Sequence, residues 1–373
     1  MLLILFIDAL RYDQFIPKHM PLTCELIAKS ECEKDRLETI IGYSPGIKPT
    51  IWTGKYPSEH NYWTEYYYTK DQNRVLMNTM PRTLFYLPRF LRKYYSGFYA
   101  RNIYRSTGSS RFPPGMPLAL TRFFARSEGF KLGDEHENGL EDFYNILVKN
   151  GLTYYYNEKD LKIPKHQLNK DVVIAYTPIL DNIMHFYGVN NKVVDRTLRT
   201  IDIKCYELIK SRKKSKFMIF SDHGMTDVKI RINLNSYIPH KFKLGKDYIN
   251  FYDSTIAKFW FFDKKAKIEI KECLKKCKWG RLLEKEDIIN YGLDFRDNRF
   301  GELLFLVKPG VEIFPNFFHN IFPERVKALH GYEPSHSDSY GVFVSNFHHN
   351  KNNRPIKIVN LLKYMLNSLN IPD

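Results

Sequence analysis

Short, mostly apolar runs alternate along the chain with longer segments of helical periodicity. The strand-like runs cover residues 2–7, 172–176, 216–220, 257–262, 303–307 and 340–345. Runs that are apolar at odd and even positions alike are typical of strands buried on both faces, as in a parallel sheet that helices cover.

Amphipathic patterns or helix-boundary residues mark the intervening segments. Helices are predicted over residues 140–149, 193–211, 264–278 and 358–369, with a further helix beginning near Pro49. The alternation predicts an α/β fold, a mostly parallel sheet sandwiched by helices, as a single domain over residues 1–373. Two stretches interrupt it, residues 61–135 and 225–329, and we expect these insertions to form a cap over the functional site.

Composition narrows the class of protein only slightly. Hydrophobic residues make up 43% and charged residues 26%, as in ordinary globular proteins. A net charge of +16 favours anionic partners such as phosphate esters, anionic lipid or nucleic acid, although a generally basic surface explains the charge equally well.

Cysteine usage and hydropathy predict a cytoplasmic location. The five cysteines form no Cys-x-x-Cys pair, which favours free thiols in a reducing compartment. The apolar N-terminal run lacks the basic region and cleavage site of a signal peptide. Nowhere do about 18 apolar residues run together, so no membrane-spanning helix is predicted.

Ionisable residues follow two of the predicted strands directly. Asp8 ends the first run, and Ser221-Asp222-His223-Gly224 ends the run 216–220. Since parallel strands end at one edge of a sheet, these side chains are expected to converge as halves of one metal site. A polar turn leaving the sheet is the alternative for Asp222 and His223.

Three further segments carry candidate chemistry. Asp181 and His185 lie four residues apart and share a face of a helical turn, where they can bind one ion. His330 precedes Gly331, a pattern that surface turns also show. Ser44 lies ahead of a predicted helix, whose N–H groups and dipole attract a phosphoryl oxygen. Ser44 is either a nucleophile, activated by a divalent ion that lowers its pKa, or a helix-capping serine.

Together and in this order, these segments resemble the alkaline phosphatase superfamily, and in particular its type I phosphodiesterase/nucleotide pyrophosphatase branch. The matching segments are Asp8, Ser44 followed by residues 49–60, Asp181-x-x-x-His185, residues 221–225 and His330-Gly331-Tyr332. The run Thr53-Gly54-x-Tyr56-Pro57-x-x-His60 is especially similar to the branch signature, and residues 359–372 resemble the closing helix of the family.

The resemblance implies an alkaline phosphatase-like fold and a two-metal phosphoric ester hydrolase that cleaves phosphodiester or pyrophosphate bonds. One ion would bind Asp181, His185 and His330, and the other Asp8, Asp222, His223 and Ser44. Ser44, as a metal-bound alkoxide, would attack phosphorus and form a phosphoseryl intermediate. The expected cofactors are two divalent ions, zinc in most relatives, and the carboxylate and imidazole ligands suit zinc or manganese.

The sequence departs from the branch in three respects. Ser44 stands where the branch has threonine, and Ile47 stands where it has an asparagine that contacts a phosphoryl oxygen. Lys48 or Arg11 could replace that asparagine as a substrate-binding residue. We also expect the chain to lack the secretory and membrane-anchor segments that are common in the branch.

The expected substrate is a phosphorylated small molecule, a nucleotide or a lipid-linked phosphodiester, without specific nucleic-acid binding. Between residues 89 and 131, nine Lys or Arg residues and ten aromatic residues accompany a single acid. This segment could stack a base or sugar, rest peripherally on an anionic membrane, or pack as an ordinary insertion. The alternatives for function are a phosphomonoesterase, phosphonate hydrolase or phosphomutase on the same centre, or a catalytically inactive relative that binds anions or lipids.

Overall fold

The fold is known from a computed structural model of the chain. It describes residues 1–30, 32–79, 113, 115–127, 129–136, 139–212, 215–318, 326–347 and 354–372. Most of the basic and aromatic segment 89–131 lies outside these residues, so the predictions made for it stay predictions.

The chain divides into two compact units. Unit 1 comprises residues 1–60, 130–227 and 326–373, and unit 2 comprises residues 61–129 and 228–325. That residues 61–135 and 225–329 are insertions forming a cap over the site stays a prediction.

The strands are numbered here in chain order. They are β1 (Leu2–Ile7), β2 (Glu33–Glu38), β3 (Tyr66–Tyr68), β4 (Phe124–Arg126), β5 (Tyr154–Asn157), β6 (Val172–Thr177), β7 (Lys216–Phe220), β8 (Thr226–Asp227), β9 (Ile230–Ile232), β10 (Tyr248–Tyr252), β11 (Ile256–Phe261), β12 (Gly280–Leu282), β13 (Leu303–Val307), β14 (Val311–Ile313), β15 (Ala328–Leu329), β16 (Gly341–Ser345) and β17 (Ile356–Lys357).

The α-helices follow the same convention. They are α1 (Pro21–Lys29), α2 (Ser44–Thr53), α3 (Pro57–His60), α4 (Phe143–Lys149), α5 (Ile179–Tyr187), α6 (Lys192–Ser211), α7 (Lys264–Lys275), α8 (Lys285–Asn290) and α9 (Leu361–Ser368). Short 3₁₀ turns occupy Leu76–Thr79, Leu118–Leu120, Lys165–Gln167, Leu234–Tyr237, Ser337–Ser339 and Ile358–Asn360.

Unit 1 is built on a seven-stranded sheet in the order β17-β2-β16-β7-β1-β6-β5. The central strand β1 runs parallel to both β6 and β7, and β5 runs parallel to β6. Only β16 runs antiparallel to its neighbours β7 and β2. The predicted mostly parallel sheet is therefore confirmed.

Helices cover both faces of this sheet. Alternate residues of β1 point to opposite sides, so that Leu3 and Leu5 pack in a cluster with residues of α1, α5 and α6. Leu2 and Phe6 pack in a second cluster with residues of α2, α4 and α9. The unit has three layers, and the uniformly apolar sequence of β1 reflects its burial on both faces.

Helix α2 begins earlier than predicted. It starts at Ser44 and contains Pro49, which was expected near its first turn. Pro45 fits the first turn, where its missing N–H needs no intrahelical acceptor. The helix ends at Gly54, whose positive φ of 63° closes it with an N–H bond to the Thr50 carbonyl.

Unit 2 contains a four-stranded antiparallel sheet in the order β10-β11-β13-β12. The segments predicted as strands near residues 257–262 and 303–307 are β11 and β13, and the predicted helix between them is α7. Two further pairs complete the unit, parallel β9–β14 and antiparallel β3–β4.

Over the described parts of both units, no helix combines the length and the apolar character needed to cross a membrane.

Candidate metal centre

The candidate ligands lie where the central parallel strands end. Asp8 directly follows β1, and Asp222 and His223 follow β7 after one residue. Strand β6 leads through Pro178 into α5, which carries Asp181 and His185. Because β1, β6 and β7 are parallel neighbours, their carboxyl ends bring these side chains to one edge of the sheet.

Asp181, His185 and His330 form the first group of possible metal ligands. One ligand atom from each lies within 4.8 Å of the others. His185 Nε2 is 3.3 Å from Asp181 Oδ1, and His330 Nε2 is 3.9 Å from the same oxygen. The helical turn between Asp181 and His185 places both on one face of α5, and His330 directly follows β15.

Asp8, Asp181 and His223 form a second, overlapping group within the same 4.8 Å limit. His223 Nε2 lies 3.3 Å from Asp8 Oδ1 and 3.5 Å from Asp222 Oδ2, which brings Asp222 into this group. Asp181 belongs to both groups, whereas the resemblance assigns it to a single ion. The two groups are therefore adjacent and share a carboxylate.

Backbone contacts orient two of the imidazoles. His223 Nδ1 lies 2.8 Å from the Gly224 carbonyl oxygen, and His185 Nδ1 lies 2.8 Å from that of Ala328. A carbonyl can only accept, so each Nδ1 donates, and Nε2 is the nitrogen that faces the carboxylates. Metal-binding histidines are commonly held in this way.

Several buried polar atoms at this edge lack a hydrogen-bond partner. Among the described residues they are Asp8 Oδ1, Asp181 Oδ1, Asp222 Oδ2, His223 Nε2 and His330 Nδ1. A buried polar atom without a partner costs about 1–3 kcal/mol, and more if it is charged. Oxygen and imidazole nitrogen are ligands of divalent cations, so this donor set fits a bound metal.

The electrostatics of the site also favour a bound cation. Burial raises the pKa of Asp8 well above its usual value, and repulsion from Asp222 and Asp181 raises it further. Burial opposes ionisation of Asp181 too, but the facing imidazole of His185 outweighs it and lowers that pKa. The pKa of His223 is raised despite burial, because Asp222 and Asp8 face it. Positive charge at this position would stabilise the carboxylates.

Ser44 is the first residue of α2, and Tyr43 occupies the capping position. The Tyr43 ring meets the His330 ring edge-on, with centroids 5.4 Å apart. The nucleophile candidate therefore lies one residue from a contact with a candidate ligand. Because Tyr43 is the capping residue, the alternative interpretation of Ser44 as the N-cap does not describe this helix.

The two candidate substrate-binding cations have different environments. Lys48 Nζ donates to the Tyr176 hydroxyl at 3.1 Å, and this hydroxyl donates to Asp8 Oδ2 at 2.5 Å. Arg11 is bound to Asp13, Asp338 and the Met225 carbonyl through bonds that use four of its five N–H groups. Substrate binding by either cation stays a prediction.

The sequence alone did not mark Tyr176 as a site residue, because a tyrosine within an apolar strand is typical of an ordinary core aromatic. Its position could have indicated a role at the site, since Tyr176 is the penultimate residue of a strand that ends at the candidate ligands. Ile47, where the family has asparagine, is fully buried in the core.

Close packing restricts the loop that carries His223. A Cβ atom on Gly224 would lie 2.0 Å from the Asp338 carbonyl oxygen, so only glycine fits there. Ala9 adopts a φ of +60°, which L-residues rarely do, directly after Asp8. Strained backbone of this kind is concentrated at functional sites.

The fold and the site together define a protein of alkaline phosphatase-like architecture with a carboxylate–imidazole centre at the carboxyl edge of its sheet. The profile of the Type I phosphodiesterase / nucleotide pyrophosphatase family matches residues 2–333. The chain belongs to this family. Membership supports a phosphoric ester hydrolase of the phosphodiesterase or pyrophosphatase type, in a family that is normally metal-dependent.

Solved structures show the same fold. Human ectonucleotide pyrophosphatase/phosphodiesterase 5 superimposes with a TM-score of 0.64 at 15% identity, covering 100% of this chain and 95% of that chain. The murine protein gives 0.63 at 14% identity with the same coverages. An inactive variant of the murine protein, in complex with AMP, gives 0.61 at 14% identity, again over 100% and 95% of the two chains. A search of curated protein sequences finds no significant match.

Proposed function

We propose that the protein is a metal-dependent hydrolase that cleaves phosphodiester or pyrophosphate bonds, with Ser44 as the nucleophile. The observation that carries this proposal is the pair of overlapping ligand groups that share Asp181. Family membership supports the reaction type, and the contact between Tyr43 and His330 supports the choice of Ser44.

Two divalent ions, zinc or alternatively manganese, fit the donor atoms. Asp181, His185 and His330 would hold one ion, and Asp8, Asp222, His223 and the Ser44 oxygen would hold the other, with Asp181 also contacting this second ion. When bound, such ions supply positive charge that favours an ionised hydroxyl and the charge developing on a phosphoryl group.

The chain itself contributes position and charge. Ser44 Oγ releases its proton to water and forms a bond to phosphorus, while the bond from phosphorus to the leaving oxygen breaks and that oxygen departs with the electron pair and takes up a proton. The phosphorus keeps its other ester substituent, so the adduct on Ser44 is a seryl phosphodiester. Water then attacks this adduct, which releases a phosphomonoester and restores the hydroxyl. The N-terminus of α2 stabilises negative charge at this position, and Lys48 adds a cation one turn further on.

Nucleotides and other small phosphodiesters or pyrophosphates are the proposed substrate class. The murine relative was solved with AMP, and the net charge of +16 favours anionic substrates. Lipid-linked substrates and membrane contact have no support among the described residues, so they are not part of the proposal.

The deciding experiment compares Ser44→Ala with wild type on an aryl phosphodiester, an aryl monoester and a dinucleotide pyrophosphate. We expect the diester and the pyrophosphate to be preferred, and Ser44→Ala to lose activity by more than about 1,000-fold. Ser44→Thr should remain active, because either hydroxyl can attack phosphorus. Acid quenching during turnover should trap the substrate-derived phosphoryl adduct, a seryl phosphodiester, on the peptide that contains Ser44.

Ser58→Ala is the matched control, since Ser58 also lies in the first turn of a short helix of unit 1, α3. It should retain wild-type turnover. Full activity of Ser44→Ala, or of chelator-treated enzyme, would refute the mechanism. A preference for the monoester would instead identify a phosphomonoesterase, and salt-sensitive binding without turnover would identify an inactive relative.

A further inference from the structure

The Tyr176 hydroxyl lies between Asp8 and Lys48. It donates to Asp8 Oδ2 at 2.5 Å and accepts from Lys48 Nζ at 3.1 Å. Tyr176 is 6% exposed and stands beside Phe6 in the parallel register of β6 and β1, with ring centroids 4.7 Å apart. Packing therefore holds the ring, and the position of the hydroxyl follows from the sheet.

This contact makes the two oxygens of Asp8 unequal. Oδ2 accepts from Tyr176, whereas Oδ1 has no hydrogen-bond partner among the described residues and lies 3.3 Å from His223 Nε2. The terminal torsion of a carboxylate is soft, so an unanchored Asp8 would sample many orientations. With Oδ2 bound, Oδ1 is the oxygen offered to the ligand group.

Lys48 connects the same hydroxyl to the helix of the nucleophile. Lys48 and Ser44 are four residues apart in α2 and lie on the same face of that helix. The ammonium of Lys48 also lies 4.2 Å from the centre of the Tyr176 ring, a cation–π contact. The Tyr176 ring is thus held from two sides, by α2 and by the end of β1.

We propose that Tyr176 is a positioning residue that presents Asp8 to the metal centre as a one-oxygen ligand and, through Lys48, keeps the helix of Ser44 in place beside it. This inference rests on the proposed function, because it requires Asp8 to bind a metal ion. Hydrogen bonds to ligating carboxylates tune metal affinity, and their loss typically weakens it by about 10–100-fold.

The test is the metal affinity of apo Tyr176→Phe, titrated with zinc in competition with a chromophoric chelator. We expect the affinity for one of the two ions to fall by about 10–100-fold relative to wild type. Lys48→Met should produce a smaller loss in the same direction, since Asp8 keeps its bond to the tyrosine. Relative to wild type, Tyr176→Phe should be far more active at saturating zinc than at limiting zinc.

Tyr252→Phe is the matched control. Tyr252 is a buried tyrosine of unit 2 whose hydroxyl bonds Asn235 Oδ1 at 3.1 Å, so its removal also deletes a buried hydroxyl. Its zinc affinity should equal that of wild type, although both variants lose stability. A purely structural role of Tyr176 predicts the same behaviour for the two variants.

The outcomes separate the inference from the proposed function. Wild-type zinc affinity in a folded Tyr176→Phe, with Ser44→Ala inactive, overturns the inference and leaves the proposed function standing. Absence of both zinc and manganese binding by the wild-type chain overturns both. If Tyr176→Phe does not fold, Lys48→Met decides, since weakened affinity supports the inference and unchanged affinity overturns it.

Discussion

The imidazole rings of His223 and His330 stack face to face, with centroids 3.7 Å apart and an angle of 10° between their planes. His223 follows β7, and His330 follows β15, so the contact joins distant parts of the sequence. Burial, followed by the positive charge of His223, lowers the pKa of His330 well below its usual value. The two ligand groups thus meet through these rings as well as through Asp181.

Asp181→Asn should remove metal from both groups, whereas His185→Gln should affect only one. Asp181 belongs to both sets of atoms within 4.8 Å, and His185 belongs to one. We expect metal per chain, measured by mass spectrometry after dialysis, to fall further in Asp181→Asn than in His185→Gln. Both variants should lose activity by more than about 100-fold, since removing a partner of a ligand already costs about 10–100-fold.

Asp134→Asn is the control for charge, because Asp134 is exposed on the same unit. It should keep wild-type metal content and activity. Equal metal loss in Asp181→Asn and His185→Gln would show that Asp181 serves one ion alone.

Asp8→Asn should stabilise the metal-free protein and weaken its stabilisation by zinc. Burial and nearby carboxylates raise the pKa of Asp8 in the folded state. Between the usual carboxyl value of about 4 and that raised value, the folded chain binds more protons than the unfolded chain, so stability falls as pH rises. Unfolding in urea with chelator at pH 4.5 and pH 7.5 measures the effect.

The variant should be more stable than wild type at pH 7.5, and the difference should shrink towards pH 4.5. Zinc should reverse the order at pH 7.5, because only wild type retains the carboxylate ligand. An apo wild-type protein whose stability equals that of Asp8→Asn at both pH values would contradict this account.

His60 should make the protein less stable at mildly acidic pH. Burial lowers its pKa to about 3, and its Nε2 lies 2.9 Å from Thr50 Oγ1. The unfolded chain binds a proton at His60 below about pH 6.5, but the folded chain does not until near pH 3. Stability is therefore lost as pH falls through 6.5, by on the order of 2 kcal/mol at pH 5.

His60→Gln removes this titration and should flatten the pH dependence between pH 7.5 and pH 5, as urea unfolding at several pH values would show. At pH 7.5 the variant should lose about 1 kcal/mol through the hydrogen bond with Thr50. His166→Gln is the control, since His166 is exposed, and it should keep the wild-type slope. Parallel stability curves for wild type and His60→Gln would rule the mechanism out.

Lys258→Met should strongly destabilise unit 2. The Lys258 ammonium is fully buried, lies 2.9 Å from Asp253 Oδ2 and donates to Thr64 Oγ1 at 2.7 Å. Removing one partner of a buried ion pair leaves an uncompensated charge and costs about 3–5 kcal/mol. Denaturant unfolding monitored by tryptophan fluorescence reports this change, since Trp63 and Trp260 belong to the same unit.

The double variant Lys258→Met with Asp253→Asn should recover part of the loss, because the remaining buried group is neutral. Lys267→Met is the control, since that lysine is exposed and its ion pair with Glu302 lies at the surface. A double variant less stable than Lys258→Met would show that charge imbalance is not the cause.

The order of strands and helices was largely predictable, because a strand that is buried on both faces is apolar at every position of its sequence. Residues 2–7 are uniformly apolar, and they form the central strand β1. Strand β2 was missed, since five of its six residues, Glu33-Lys34-Asp35-Arg36-Leu37-Glu38, are charged and only Leu37 is buried. Its hydrogen bonds to β16 and β17 are long-range pairings, which local sequence does not reveal.

The residue types of the candidate metal centre were determined by the sequence alone. Asp8, Asp181, His185, Asp222 and His223 stand at strand ends or on a helical turn, where local periodicity brings them to one edge of the sheet. Only the tertiary structure decided that Asp181 reaches both ligand groups, that His223 stacks on His330, and that Tyr176 holds one oxygen of Asp8. These relationships depend on the register between parallel strands and on packing across the sheet, and no short stretch of sequence carries that information.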